Sequence, residues 1–188
     1  QLDHPKSVRD LTIIEIGHTP RDTDIAQWLA PLRDGVDIAV VSEAGCPAIA
    51  DPGATLVAAA HRTGCKVQPL VGPSSIILAL MASGLNGQRF RFVGYLPIAA
   101  AERAASIHAL EAESKGGETQ IFIETPYRNT SMFTALLQHC QPATRLAVAV
   151  DLTGDAESVQ QRTVREWRAR PADAQPLLKQ PAVFCLLA

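Results

Sequence analysis

The stretch VVSEAGCPAIADPGATLV, residues 40–57, joins an apolar run to a helix-forming run through a turn. That turn holds two carboxylates, Glu43 and Asp51, together with glycines and prolines that allow tight backbone geometry. An apolar strand followed by such a turn and a helix is one step of an α/β fold. Ligands of open α/β sheets bind outside the carboxyl ends of the strands. The stretch therefore predicts a strand-end loop, residues 42–53, that binds a polar ligand.

The same alternation continues along most of the chain and predicts α/β architecture with a largely parallel sheet. Predicted strands are residues 11–16, 36–42, 65–70, 89–95, 119–124, 145–152 and 181–188. Predicted helices are residues 22–34, shortened or kinked at Pro31, and 53–64, 74–84, 99–114 and 129–139. Residues 157–169 fit a strand and a helix equally well.

A polar, glycine-containing seam at residues 84–90 predicts two small α/β domains with mainly parallel sheets, residues 1–88 and 89–188. A single larger domain remains an open alternative. The chain of 188 residues is 47% hydrophobic and 19% charged, with a formal net charge of −2. It has no block of like charge, so no nucleic-acid or membrane footprint is evident.

Cysteine and histidine usage favours a reducing, cytoplasmic protein without a metal. The four cysteines are scattered, and neither they nor the five histidines have metal-ligand spacing. No apolar run approaches the roughly 18 residues of a membrane span. The first ten residues lack the apolar core of a signal peptide and a starting Met, so we expect a piece of a longer protein.

Two further strand-end loops repeat the chemistry of the first. LVGPSS, residues 70–75, ends in two hydroxyls at a helix start, and IETPYRN, residues 123–129, follows another strand. A purely structural interpretation stays open, because Gly-Pro turns often only close the chain. On that interpretation Asp51 caps the following helix, and Glu124 and Arg128 form a surface ion pair. Phosphate-loop and hydrolase-elbow motifs are absent from the sequence.

Five motifs in order resemble the tetrapyrrole methylase superfamily of S-adenosylmethionine (SAM)-dependent methyltransferases. Within it they are most similar to the branch that methylates a cytidine ribose 2′-hydroxyl in small-subunit ribosomal RNA. The family patterns VSDAGTPLISDPG, PLPGP, RFxFxGFLP, FYExPHR and RELTK stand here as VSEAGCPAIADPG, PLVGP, RFRFVGYLP, FIETPYR and VDLTG. The likeness runs from about residue 36 to the C-terminus.

The resemblance implies a cofactor crevice between the two domains and assigns its lining. The first loop is expected to contact the methionine and ribose parts of SAM, and the later loops to form the adenosine pocket. The implied cofactor-binding residues are Ala44, Gly45, Cys46, Ile49, Ser74, Ser75, Glu124, Thr125, Leu152, Thr153, Pro181 and Ala182. The family's first strand and PxPIGN loop are missing from this chain. Gly154 replaces an expected Lys, and Glu43 replaces an expected Asp.

The resulting hypothesis is a homodimeric, SAM-dependent methyltransferase that acts on a ribose hydroxyl of ribosomal RNA. Such a hydroxyl needs a general base, and Glu43 and Asp51 are the carboxylates nearest the donor loop in sequence. Two alternatives remain: a methyltransferase for a tetrapyrrole or another small molecule, and a non-catalytic SAM-binding dimer. The lack of a basic face favours the small-molecule alternative, and the two motif departures favour the non-catalytic one.

Overall fold

The computed structural model describes residues 8–170 and 180–188. It divides into two compact units, the first ending at Gly72 and the second beginning at Pro73. The α/β class predicted from the sequence is confirmed, because helices cover both faces of a five-stranded sheet in the second unit. The domain division predicted at residues 88 and 89 stays a prediction.

All secondary-structure elements in the described part of the first unit are helical. A 3₁₀ turn, Val8–Asp10, precedes helix α1, Asp22–Leu29, which passes into a 3₁₀ segment, Ala30–Asp34, and helix α2 spans Ala54–Arg62. As predicted, α1 shortens just before Pro31, and the segment ends at Gly35, which adopts left-handed backbone. A small core of Ile25, Leu56 and Ala59 joins the two helices, with Trp28, Leu29 and Val40 packed against it.

The three strands predicted in the first unit are wrong for this structure. Residues 11–16, 36–42 and 65–70 form no ladder within the described residues, and several of their apolar side chains are exposed. Their composition suits a buried strand, but a strand also requires a neighbour that accepts and donates its backbone hydrogen bonds. The apolar pattern cannot supply that neighbour.

The second unit contains all five strands, the remaining α-helices and a 3₁₀ turn, Pro126–Arg128. In chain order the strands and α-helices are α3 (Ser75–Ser83), β1 (Phe90–Tyr95), α4 (Ala100–Ser114), β2 (Thr119–Glu124), α5 (Asn129–His139), β3 (Arg145–Val150), β4 (Ser158–Thr163), α6 (Val164–Ala169) and β5 (Ala182–Leu187). The ambiguous segment 157–169 resolves into a strand followed directly by a helix. Thr163 separates the two by accepting a hydrogen bond from the backbone N–H of Glu166 as the N-cap of α6. None of the described helices has the length and hydropathy of a membrane span.

The sheet order is β1-β2-β5-β3-β4. The pair β1–β2 is parallel, whereas β2–β5, β3–β5 and β3–β4 are antiparallel, so the mainly parallel sheet predicted from alternation is wrong. Strands β1, β2 and β3 do run in one direction, as helical crossovers require. However, β5 inserts between β2 and β3 in the opposite direction. Alternation of elements predicts strand direction but not which strands become neighbours.

The central strands β2, β5 and β3 are buried on both faces, which explains their nearly continuous apolar sequences. One face packs against α3 through alternate residues such as Ile121, Val183 and Cys185. The other face packs against α4, α5 and α6 through Phe122, Phe184 and their neighbours. Trp167 of α6 is buried there, and its indole N–H donates to the carbonyl of Leu146.

Candidate functional site

The loop predicted from the opening stretch is a network of tight turns within the first unit. The Ser42 hydroxyl donates to the Gly45 carbonyl at 3.1 Å, and the Ala48 N–H donates to the Pro52 carbonyl at 3.1 Å. Gly45 has φ +74° and Gly53 has φ +135°, conformations that favour glycine. The predicted tight turns are therefore confirmed, and the role of the loop as a polar ligand site stays a prediction.

The two candidate bases occupy different positions in this loop. Glu43 is exposed and Asp51 is half-buried. The N-cap position of α2 is Gly53, so the alternative in which Asp51 caps that helix is wrong. The helix begins two residues later than that alternative requires, because Pro52 and Gly53 extend the turn.

In the second unit, six of the predicted cofactor-binding residues lie together at one end of the sheet. Backbone pairing places Glu124 opposite Ala182, and Ala182 opposite Val150. This row defines what we call the carboxyl end of the sheet, because β1, β2 and β3 all terminate there. The remaining predicted residues of this group lie within three positions of the row in sequence: Thr125, Leu152, Thr153 and Pro181. The Asp151 N–H also donates to the Pro181 carbonyl at 2.9 Å, which joins the two loops.

The predicted surface ion pair between Glu124 and Arg128 forms, but it is not a surface pair. The Glu124 side chain is 1% exposed and that of Arg128 is 20% exposed, with 2.5 Å between Nη2 and Oε2. The other carboxylate oxygen of Glu124 accepts from the Thr125 N–H at 2.7 Å. The hydrogen bond that Arg128 donates to the Glu124 carboxylate raises the pKa of the guanidinium above its ordinary value. Glu124 therefore fixes the loop backbone and pairs the charge of Arg128.

Helix α3 begins toward the same end of the sheet. Beyond its last residue, the Asn86 side chain donates to Gly117 and the Asn86 carbonyl accepts from Thr119, at the start of β2. Because α3 lies along the sheet face, its other terminus points to the carboxyl end. Ser74 occupies the N-cap position, but its hydroxyl makes no capping bond, contrary to the predicted serine cap. The first N–H groups of α3 are therefore not satisfied by that side chain.

The loop after β3 is closed by its own side chains. The Asp151 carboxylate accepts from the Ala156 N–H at 2.9 Å, and Glu157 accepts from the Thr153 N–H at 2.7 Å. A side chain at Gly154 would begin 2.4 Å from the Asp151 carboxylate. Gly154 stands where the family has a Lys. The space that a side chain at this position would occupy is filled by the Asp151 carboxylate.

Within the described residues, backbone strain is concentrated in two of the predicted loops, the loop at residues 42–53 and the loop after β3. Four non-glycine residues have positive φ: Ala48, Ala50, Asp151 and Thr153. Left-handed backbone is disfavoured for residues with a Cβ atom, and such conformations cluster at ligand-binding and active sites. This observation was not accessible from composition or spacing, and it singles out the same two segments as the motifs.

Sequence reasoning missed Asn129, which is fully buried at the start of α5. Its side-chain N–H₂ donates to the Gln180 carbonyl at 2.6 Å, just before Pro181. Its Oδ1 atom is buried without a hydrogen-bond partner, as is the Nε atom of Arg128. The sequence signal that could have indicated Asn129 is its position as a polar residue directly after the motif FIETPYR.

The arrangement suits a neutral or polar organic ligand better than a metal ion. Among residues 8–170 and 180–188, no group of three or more His, Cys, Asp or Glu side chains has metal-binding geometry. The carboxyl end of the sheet instead offers backbone groups, an uncapped helix start and buried orphan polar atoms. These are the features by which proteins hold the polar parts of small ligands.

Comparisons with known proteins identify the family of this chain. The family model described as Tetrapyrrole (Corrin/Porphyrin) Methylases matches residues 4–167. A protein named Ribosomal RNA small subunit methyltransferase I from Micromonospora olivasterospora is 39% identical over 146 residues, 77% of this chain and 45% of that protein. A protein of the same name from Escherichia coli O157:H7 is 36% identical over 138 residues, 73% and 47% respectively. The chain spans about half the length of these relatives.

Solved structures show the same fold at low sequence identity. The methyltransferase CobJ superposes with a TM-score of 0.56 at 17% identity, over 90% of this chain and 73% of that one. Uroporphyrin-III-C-methyltransferase from Thermus thermophilus superposes with a TM-score of 0.53 at 20% identity, over 90% and 72%. With a family match over most of its length, this chain belongs to the tetrapyrrole (corrin/porphyrin) methylases.

Proposed function

We propose that the protein is a SAM-dependent methyltransferase that methylates a ribose 2′-hydroxyl of ribosomal RNA. The observation that carries the proposal is the match, at 36–39% identity, to relatives named Ribosomal RNA small subunit methyltransferase I. The motif order along this chain supports it, since the strained loops and the carboxyl end of the sheet coincide with the motifs.

The residues present fit SAM as the cofactor. The strained loop at residues 44–49 offers backbone groups for the polar methionine and ribose parts, and Cys46 and Ile49 offer partly apolar contact. In the second unit, Glu124, Thr125, Leu152, Thr153, Pro181 and Ala182 provide backbone and apolar walls for an adenosine. Ser74 and Ser75 stand at the start of α3, where the Ser74 side chain makes no capping bond, so N–H groups of the first helical turn can donate to an acceptor oxygen of the ligand. SAM, when bound, supplies an electrophilic methyl group.

The protein's own contribution is alignment and proton removal. A ribose hydroxyl is a weak nucleophile until its proton is taken, and a carboxylate within hydrogen-bond reach performs that task. We assign this role to Glu43 or Asp51. Exposed Glu43 is accessible to a large substrate, whereas half-buried Asp51 is held in the turn. Positioning of donor and acceptor in line supplies the larger share of the rate acceleration.

A labelled-methyl assay tests the proposal. The protein is incubated with methyl-labelled SAM and small ribosomal subunits, and label is followed into ribosomal RNA and into small molecules. We expect label in RNA, blocked when the acceptor ribose carries a 2′-O-methyl group beforehand. Label that enters only small molecules, or SAM binding without transfer, would contradict the proposal in favour of the two alternatives.

Two conservative variants identify the base. Glu43→Gln and Asp51→Asn remove the carboxylate at nearly constant shape, and loss of a general base lowers the rate by about 10²–10⁴-fold. The variant that lacks the base should retain SAM affinity measured by calorimetry while losing the rate. Equal, small effects of both variants would assign both residues to structure.

We also propose that the protein works in the cytoplasm as a homodimer. Ribosomal subunits are the substrate, and scattered cysteines suit a reducing compartment. The exposed apolar side chains of the first unit, Ile13 and Val41 among them, favour association through that unit. Sedimentation across a concentration series tests the dimer, and a monomer at all concentrations would contradict it.

A further inference from the structure

Both tyrosines of the chain are exposed near the carboxyl end of the sheet. The sequence contains two tyrosines, Tyr95 and Tyr127, with 55% and 79% of their surface accessible. Ile98, three residues after Tyr95, is 73% exposed. Large aromatic side chains usually bury most of their area, so two at one end of a sheet are informative. Neither residue is needed for the packing of the two cores.

The backbone holds Tyr95 in this position. Strand β1 carries a register irregularity between Phe92 and Tyr95, with Gly94 at φ +74°, after which Tyr95 lies opposite Ile123. The next residue, Leu96, is buried in the core and anchors the chain on the far side of the tyrosine. A bulge at a strand end re-aims the side chain that follows it. Tyr95 is therefore fixed on one side by the strand pairing of β1 and on the other side by buried Leu96.

Arg103 links the two tyrosine-bearing segments. From the first turn of α4, its guanidinium donates to the Ile98 carbonyl at 3.2 Å and to the Ser131 hydroxyl at 3.4 Å. Ser131 lies in the first turn of α5, four residues after Tyr127. One guanidinium therefore joins the segment that follows Tyr95 to the helix start that follows Tyr127.

The electrostatics of this area favour an anionic strand. Helices α4 and α5 both begin here, and helix starts carry partial positive charge. Arg103 and Arg128 contribute full positive charges, while the facing acids are Glu124, already paired with Arg128, and Glu102 in the first turn of α4. Aromatic faces beside modest positive charge are typical of single-stranded nucleic-acid sites, where bases stack and phosphates stay near the helix starts.

We propose that Tyr95 and Tyr127 form a stacking platform for unpaired bases next to the methylated nucleotide. This inference rests on the proposed function and names how the RNA is held. Stacking explains how a chain with net charge −2 binds RNA without a basic face, because base–aromatic contact adds affinity that does not depend on phosphate neutralisation. It also predicts that the substrate is single-stranded at the site, since paired bases hide their faces.

The test measures binding of a fluorescent single-stranded RNA of about 12 nucleotides, within the range of site sizes for such proteins. At fixed salt, Tyr95→Ala and Tyr127→Ala should each weaken binding by about tenfold to a hundredfold. Tyr→Phe at either position should keep nearly full affinity, since the ring remains. An RNA of the same length with abasic sites should bind weakly and equally to the parent protein and to the alanine variants.

Two controls separate this inference from the proposed function. Phe90→Leu removes a half-exposed ring from the opposite end of the same strand and should leave RNA affinity unchanged. SAM affinity, measured by calorimetry, should be unchanged in both tyrosine variants. If the parent protein does not bind SAM, that result contradicts the proposed function and not the stacking platform. Alanine variants that bind RNA like the parent, or phenylalanine variants as weak as alanine, would overturn the stacking platform.

Discussion

The two units respond differently to the same kind of sequence. Apolar, β-branched runs occur in both, yet residues 119–124, 145–150 and 182–187 form strands while residues 11–16, 36–42 and 65–70 do not pair. In the second unit each central strand has a neighbour on both sides and a helix on both faces. The difference shows that an apolar sequence pattern indicates only that a segment is suited to burial. Whether the segment forms a strand depends on partner strands elsewhere in the chain.

The cysteines offer the largest expected contrast, because each unit holds two. Burial raises the pKa of both thiols in the second unit, Cys140 and Cys185, to about 12. At pH 8 about one such thiol in 10⁴ is ionised, and the thiolate is the reactive form. Cys46 and Cys65 are half-buried. A colorimetric thiol reagent should therefore label two cysteines quickly and two at least about a thousandfold more slowly.

Labelling of the protein unfolded in denaturant is the control for this experiment. All four cysteines should react quickly once the protein is unfolded. Fast labelling of Cys140 in the folded protein, located by peptide mass, would contradict the buried core of the second unit.

Two isoleucines, one in each unit, compare how much a side chain contributes to the free energy of unfolding in the two units. Ile121 is 0% exposed and Ile13 is 72% exposed. Ile121→Ala should lower the free energy of unfolding by about 2–5 kcal/mol, because it removes buried methyl groups and leaves a cavity. Ile13→Ala should change it by less than about 0.5 kcal/mol. Urea denaturation measures both.

If Ile121→Ala does not fold, Ile121→Val provides a smaller step of about 0.5–1.5 kcal/mol. An Ile13→Ala variant as damaged as Ile121→Ala would mean that the first unit buries this segment in solution. That result would break the contrast between the units.

Two asparagines at opposite ends of the sheet separate stability from cofactor binding. Asn129 and Asn86 each donate to a backbone carbonyl at 2.6 Å, to Gln180 at the carboxyl end and to Gly117 at the other end. Asn129→Ala and Asn86→Ala should each cost about 1–3 kcal/mol of stability, since a buried or partly buried carbonyl loses its partner. Asn129→Ala should in addition weaken SAM binding, measured by calorimetry below the unfolding transition. Equal SAM affinities in the two variants would deny Asn129 a role in holding the Pro181 segment.

The smallest expected effect concerns the loop after β3. Gly154→Ala brings a Cβ atom against the Asp151 carboxylate, which must move and give up its bond to the Ala156 N–H. We expect a loss of about 1 kcal/mol, the net value of one hydrogen bond. In an Asp151→Ala background the same change should be close to neutral, because the collision is gone. Additive effects of the two substitutions would show that the loop does not depend on this contact.

Most of the second unit was predictable from its sequence, and the reason is local. Its strands and helices follow from apolar runs and caps. Strand β2 ends at the predicted residue Glu124, β3 ends two residues before Leu152, and β5 begins one residue after Pro181. What could not be predicted depends on contacts distant in the chain. The insertion of β5 between β2 and β3, and the bond from Asn129 to Gln180, each join residues separated by more than thirty positions. The roles assigned to Glu43 and Asp51 stay predictions.

The position of β5 has a consequence for synthesis on the ribosome. Residues 90–163 contain four of the five strands, but β2 and β3 have no mutual ladder and meet through residues 182–187. While translation is in progress, the emerging chain therefore holds two half-sheets with open inner borders, and exposed borders invite wrong pairing. A nascent chain stalled before residue 182 should be captured readily by chaperones, and one that has released residue 188 should escape them.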